Sequence, residues 1–176
     1  LTVGHDSDID RTAIPDSQFA CEFAERVASL FSAGHIDVIG LDAIPYLSLI
    51  GVGLLAYWPR FVAWREMTRM DGGYDNGDPR TQQALLQGMG ARAMAAHHNS
   101  LEALPFFGLG VLAALQRGVG IHQVAALCVG FLVIRIVFIL SYLHDYPTSR
   151  SLAFMAGAGI CLILYGLAAC GIRNLL

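Results

Sequence analysis

Arg92-Ala93-Met94-Ala95-Ala96-His97-His98-Asn99-Ser100-Leu101-Glu102-Ala103-Leu104-Pro105-Phe106-Phe107 is where polar chemistry enters an otherwise apolar chain. It leads directly into apolar sequence up to Leu115, so it reads as the first half of a long hydrophobic helix. At about 100° per residue, Arg92, Asn99, Glu102 and Phe106 share one stripe, with Gly88 and Ala95 beside it. His97 points roughly the opposite way, and His98 lies on the flank. A stripe carrying Arg, Asn and Glu cannot face lipid, because each centrally placed charge costs about 2.5–3.5 kcal/mol on insertion scales. It must meet a partner, a ligand or water, and it is the first place to look for function.

The chain has 176 residues, 55% hydrophobic and 14% charged, with a mean hydropathy of +0.54. Soluble domains carry about 25% charged residues, so this balance indicates a membrane protein surrounded by lipid. A net charge of −3 with no polybasic patch argues against nucleic acid as a partner. Cys21, Cys128, Cys161 and Cys170 show no CxxC or paired spacing, so neither a disulfide framework nor a zinc site is indicated. The chain opens on Leu1 rather than Met, and we expect a leader or presequence to have been removed or left out. That favours an organelle, the mitochondrial inner membrane, over a bacterial inner membrane.

Residues 1–43 read as an extramembrane arm, polar and acidic at first. Phe19, Phe23, Val27, Leu30 and Phe31 then recur at helical spacing, which predicts one amphipathic helix. Residues 44–176 read as the membrane domain. A first span runs from about Ala43 to Trp58 or a little beyond, anchored by Trp58, Arg60, Trp64 and Arg65. Glu66 to Gln83 is a long polar connection with turn signals at Gly72-Gly73 and Asp75-Asn76-Gly77-Asp78-Pro79. A second span covers about Leu85 to Leu115, longer than the roughly 20 residues needed, so its first part projects from the bilayer. The third runs from Ile121 to Leu143, with Arg135 well inside and Tyr142 two turns later on the same face. A short turn leads to Arg150 and a fourth span, Ser151 to Ile172. Four spans joined mostly by short loops predict an all-α fold, an antiparallel four-helix transmembrane bundle. Ala153, Gly157 and Cys161 repeat every four residues, as do Ala126 and Gly130, and such stripes suit close helix packing.

Arg92, Asn99 and Glu102 on the second span, Arg135 and Tyr142 on the third, and Arg150 before the fourth form the candidate constellation. Two readings stand side by side. In one, a polar pocket takes an anionic, amide-rich ligand, with Arg gripping carboxylates, Asn pairing amides and Glu holding an ammonium group. In the other, the charges neutralise one another, chiefly Glu102 with Arg135, and set the helix register. Neither metal nor haem is expected. His98 and Glu102 stand at i, i+4, but other spans offer no further carboxylate and His ligands. His122 and His144 lie at opposite ends of one span, too far apart to clasp one haem. His97 and His98 are better suited to hydrogen bonds between helices.

Taken in order, these motifs resemble the membrane-associated proteins in eicosanoid and glutathione metabolism, the MAPEG family. The resemblance covers about residues 44–172. It is carried by Asp78-Pro79-Arg80, by Arg92-Ala93 with Ala96-His97-x-Asn99-x-x-Glu102 and Pro105-Phe106, and by Arg135 with Tyr142. Arg150-Ser151 with Phe154 and Gly157 completes it. The resemblance implies four-helix subunits assembled as homotrimers, with glutathione bound between neighbours near one membrane face. Asn99, Glu102, Tyr142, Arg150 and Ser151 match glutathione-contacting positions, and Arg92 and Arg135 belong to the same polar set. Arg150 would be the catalytic group, because a nearby guanidinium favours the thiolate, which is the nucleophile. The sequence also departs from the pattern. Ala95 stands where a second Arg is common, Phe154 where a well-studied member has Tyr, and the turn from Tyr142 to Arg150 is one residue shorter.

Two functions follow from the resemblance. The first is a glutathione-dependent transferase or peroxidase acting on lipophilic electrophiles or lipid hydroperoxides. The alternative is a non-catalytic accessory subunit of a larger respiratory or photosynthetic membrane complex, suggested by the N-terminal arm and the departures at Ala95 and Phe154.

Overall fold

The structure is a computed structural model that describes residues 40–171. Among these residues all regular structure is helical: α1 (Ile44–Thr68), α2 (Pro79–Ala84), α3 (Gly88–Gln116), α4 (Ile121–Leu143) and α5 (Pro147–Cys170). The amphipathic helix expected within the arm lies outside the described residues. Helices α1, α4 and α5 are each long and apolar enough to cross a membrane. α3 is longer still, at 29 residues. Its first half, however, is diluted by Arg92, His97, His98, Asn99 and Glu102.

Local chemistry explains where these helices start and stop. α1, expected to reach Trp58 or a little beyond, continues through Pro59 as far as Thr68. Proline removes a backbone donor there, and beside that break the Ala56 carbonyl accepts a hydrogen bond from His97 on α3. The second span, expected from about Leu85, begins at Gly88, and a separate short helix, α2, precedes it. Asp78 caps α2 by accepting from the Thr81 N–H at 3.2 Å. Gln87 is extended and Gly88 has φ of +53°, and α3 begins from that left-handed step. α4 occupies the predicted residues. α5 begins one turn earlier than expected, at Pro147, whose fixed φ suits a first helical position. It stops at Gly171 in the left-handed conformation.

The four long helices pack through two apolar clusters. Phe107 of α3 stacks on Phe131 of α4 with ring centroids 4.0 Å apart, joined by Val52, Cys161 and Leu164. Nearer the long connection, Ala63, Met67, Ala93, Phe138 and Ile139 form the second. Contacts show how neighbours pass one another. Arg92, at the start of α3, meets Leu143 at the end of α4, while Phe107 further along α3 meets Phe131 earlier in α4. Ser141, late in α4, meets Ser149, early in α5. The small-residue stripe on α5 is at a contact: Ala153 and Cys161 are buried, and a Cβ on Gly157 would sit 3.5 Å from the Phe131 ring. The stripe on α4 is split: Ala126 is exposed, whereas a Cβ on Gly130 would lie 3.5 Å from Ile160 of α5.

Candidate functional site

Along α4, Arg135 lies between Phe131 of one apolar cluster and Phe138 of the other, and it is only 3% exposed. A guanidinium there requires hydrogen-bond partners. α3 supplies two. Nη1 donates to Asn99 Oδ1 at 3.1 Å and Nη2 to Ser100 Oγ at 2.8 Å. Both partners are neutral, and Nε has none among the described residues. The guanidinium also lies over the Phe138 ring, 4.3 Å from its centroid.

The neutralisation of Arg135 by Glu102, the second of the two readings, is not formed. Among the described residues Glu102 makes no ion pair, and it is exposed on the surface of the subunit. The reason is positional. Asn99 and Ser100 sit beside the guanidinium, whereas Glu102, one turn further along α3, stands at the edge of an open groove. That groove lies among α3, α4 and α5 and holds about 250 Å³, with Asn99, Glu102, Phe106, Phe131, Arg135 and Phe154 among its lining residues. Arginine can only donate, so it fixes the Asn99 oxygen toward itself. The groove therefore presents an amide donor from Asn99 and a carboxylate acceptor from Glu102, set in mostly apolar walls.

A second group gathers where α4 turns into α5. The Arg150 guanidinium lies over the Tyr142 ring, 4.7 Å from its centroid. Tyr142 in turn meets Phe138 edge-on at 5.4 Å. Arg135, Phe138, Tyr142 and Arg150 are thus stacked in sequence, and the stack links the groove to the turn. Arg92 belongs to the turn as well: Nε donates to the Leu143 carbonyl at 3.4 Å, and Nη1 lies 3.6 Å from Asp145 Oδ2.

The predicted site residues therefore fall into three places. Asn99, Glu102 and Arg135 share the groove. Arg92, Tyr142 and Arg150 surround the α4–α5 turn. Ser151 joins neither; it is exposed and lines a shallow hollow with Pro147, Thr148, Leu152 and Met155. Sequence reasoning missed Ser100 and Phe138. Phe138 was legible in principle, because it stands at i+3 from Arg135 and i−4 from Tyr142 on one helical face. Ser100 gave no signal beyond its position next to Asn99.

His97 serves packing between helices. Its Nδ1 lies 2.8 Å from the Ala56 carbonyl, and its ring sits 5.5 Å from that of Tyr57. His98 is exposed and touches the His97 ring at 5.7 Å.

A family model described as the MAPEG family matches residues 44–170, which includes every residue of both groups. No curated protein and no solved structure matches the chain.

Proposed function

The chain belongs to the MAPEG family and, with its apolar helices, is an integral membrane protein, and from that premise we propose a glutathione-dependent transferase or peroxidase. Its acceptors are lipophilic electrophiles or lipid hydroperoxides, which reach the site from the bilayer. All four long helices cross the membrane as an antiparallel bundle, with α3 as the crossing that carries the polar stripe. The observation that carries this reading is the buried Arg135, with a free Nε, standing behind Asn99 and Glu102 in an open groove.

The donor set fits the chemistry of glutathione. Glu102 receives its ammonium group, the Asn99 amide, oriented by the buried Arg135, donates to a carbonyl or carboxylate oxygen, and Arg92 answers a carboxylate. Tyr142 and Arg150 stand at the thiol end. The guanidinium of Arg150 favours the thiolate. Its sulfur attacks an electrophilic carbon as a leaving group departs or as an activated double bond takes up a proton. With a hydroperoxide it attacks the terminal oxygen, the O–O bond breaks to release the alcohol, and a second glutathione reduces the sulfenic acid to the disulfide and water. Ser151 stands next to Arg150 in sequence but outside both groups, so its contribution depends on a neighbouring subunit. A homotrimer with glutathione between subunits suits Glu102, which has no partner within its own described chain.

Replacement of Arg150 by Ala tests the reading: conjugation of glutathione to a lipophilic electrophile should fall to background while the helical signal and melting temperature persist. Undiminished turnover in that variant would sink the proposal. Two observations favour the second reading, a non-catalytic subunit of a larger membrane complex. Arg92 is already engaged by Asp145, and Phe154 contributes an apolar ring to the groove wall. Absence of any glutathione binding by the intact protein would favour that reading.

A further inference from the structure

Asp145 is the one non-glycine residue among those described with a positive φ, 61°. Left-handed backbone suits glycine best, and Asp is among the few side chains that tolerate it. The turn is held by its backbone: the Tyr146 N–H donates to the Ser141 carbonyl at 2.8 Å and the His144 N–H to that of Leu140 at 3.0 Å. The Asp145 carboxylate accepts no hydrogen bond from this turn. It faces α3 instead, 3.6 Å from Arg92. A non-glycine residue in that conformation invites a role for its side chain.

Arg92 is the other half of the contact, and it is under-used. Of its five donors, Nε makes the one hydrogen bond seen, at 3.4 Å to Leu143. The two side chains are 31% and 64% exposed on the subunit and the contact is long, so the ion pair is a weak one. On α3, Arg92 precedes Asn99 and Glu102 by seven and ten residues and so shares their stripe.

We propose that Asp145 is an internal competitor for Arg92: its carboxylate occupies the guanidinium when the site is empty, and a ligand carboxylate displaces it. The inference rests on the glutathione reading for the identity of that ligand. It adds that Asp145 sets how tightly the peptide's carboxylate is held. Asp145 is an affinity-setting residue and touches no reacting atom.

The test is labelling of Arg92 by phenylglyoxal in the full chain in detergent, followed by peptide mass spectrometry, with and without glutathione. The variant is Asp145→Asn, which keeps a side chain suited to left-handed backbone and removes the charge. Arg92 should label about two- to fivefold faster in D145N, the range expected for unmasking an exposed ion pair. Glutathione should protect Arg92 in both proteins, at lower concentration in D145N. Equal labelling of the two proteins would overturn the masking, and protection by glutathione would then leave the proposed function standing. Faster labelling without protection would overturn both the competition and glutathione as the ligand of Arg92.

Discussion

Arg135 and Glu102 project from neighbouring helices into one groove and do not pair. Asn99 and Ser100 take the guanidinium first, and that choice decides what the groove offers. Because Asn99 spends its oxygen on Arg135, its amide nitrogen remains for a ligand. Asn99→Asp separates the two roles. The new carboxylate would pair with Arg135, so the melting temperature should hold or rise, while the outward-facing donor disappears. Losing one such hydrogen bond costs about 0.5–1.5 kcal/mol, and titration calorimetry should show glutathione affinity reduced roughly three- to tenfold. Affinity equal to that of the parent protein would show that the Asn99 amide does not contact the ligand.

α3 is the element that sequence and structure describe differently. Its polar stripe is plain in the order Arg92, Asn99, Glu102, and the opposite face carries His97 to the Ala56 carbonyl of α1. The stripe was legible because helical periodicity is a local property. The break before it was not: Leu85 and Leu86 look like the start of a span, yet Gln87 is extended and Gly88 is left-handed. A glycine at a helix start is ambiguous in sequence, since it is compatible with either sign of φ. Gly88→Ala should therefore destabilise the protein by about 1 kcal/mol, the scale of the left-handed penalty for a residue bearing a Cβ. Thermal unfolding in detergent measures this. An unchanged or higher melting temperature would mean that α2 and α3 can join as one helix at no cost.

Taken as a whole, the subunit leaves much apolar surface uncovered, including Leu54, Leu109, Leu152 and Met155, each more than 60% exposed. In a membrane this surface meets lipid or another subunit, and no hydrophobic penalty distinguishes the two. Glu102 does distinguish them, because an exposed carboxylate midway along α3 is poorly placed against acyl chains. Native mass spectrometry of the protein gently extracted from its membrane should show a homotrimer that gains mass on addition of glutathione. A much larger assembly that holds this chain and takes up no glutathione would identify it as an accessory subunit.

By itself, the sequence determined the class of the protein: membrane-embedded, helical, and built around one polar stripe. Hydropathy and helical period are sums over neighbouring residues, so they survive without knowledge of the fold. The ordered motifs from Asp78 to Gly157 likewise carried the family. Only the tertiary structure decided which polar groups meet. Whether Arg135 turns to Glu102 or to Asn99 and Ser100, and whether Arg92 faces a ligand or Asp145, depends on ångström-scale helix register and on the path of one short turn. Hydrogen bonds and ion pairs fall off over those same distances, so residue type and spacing alone could not choose between the partners.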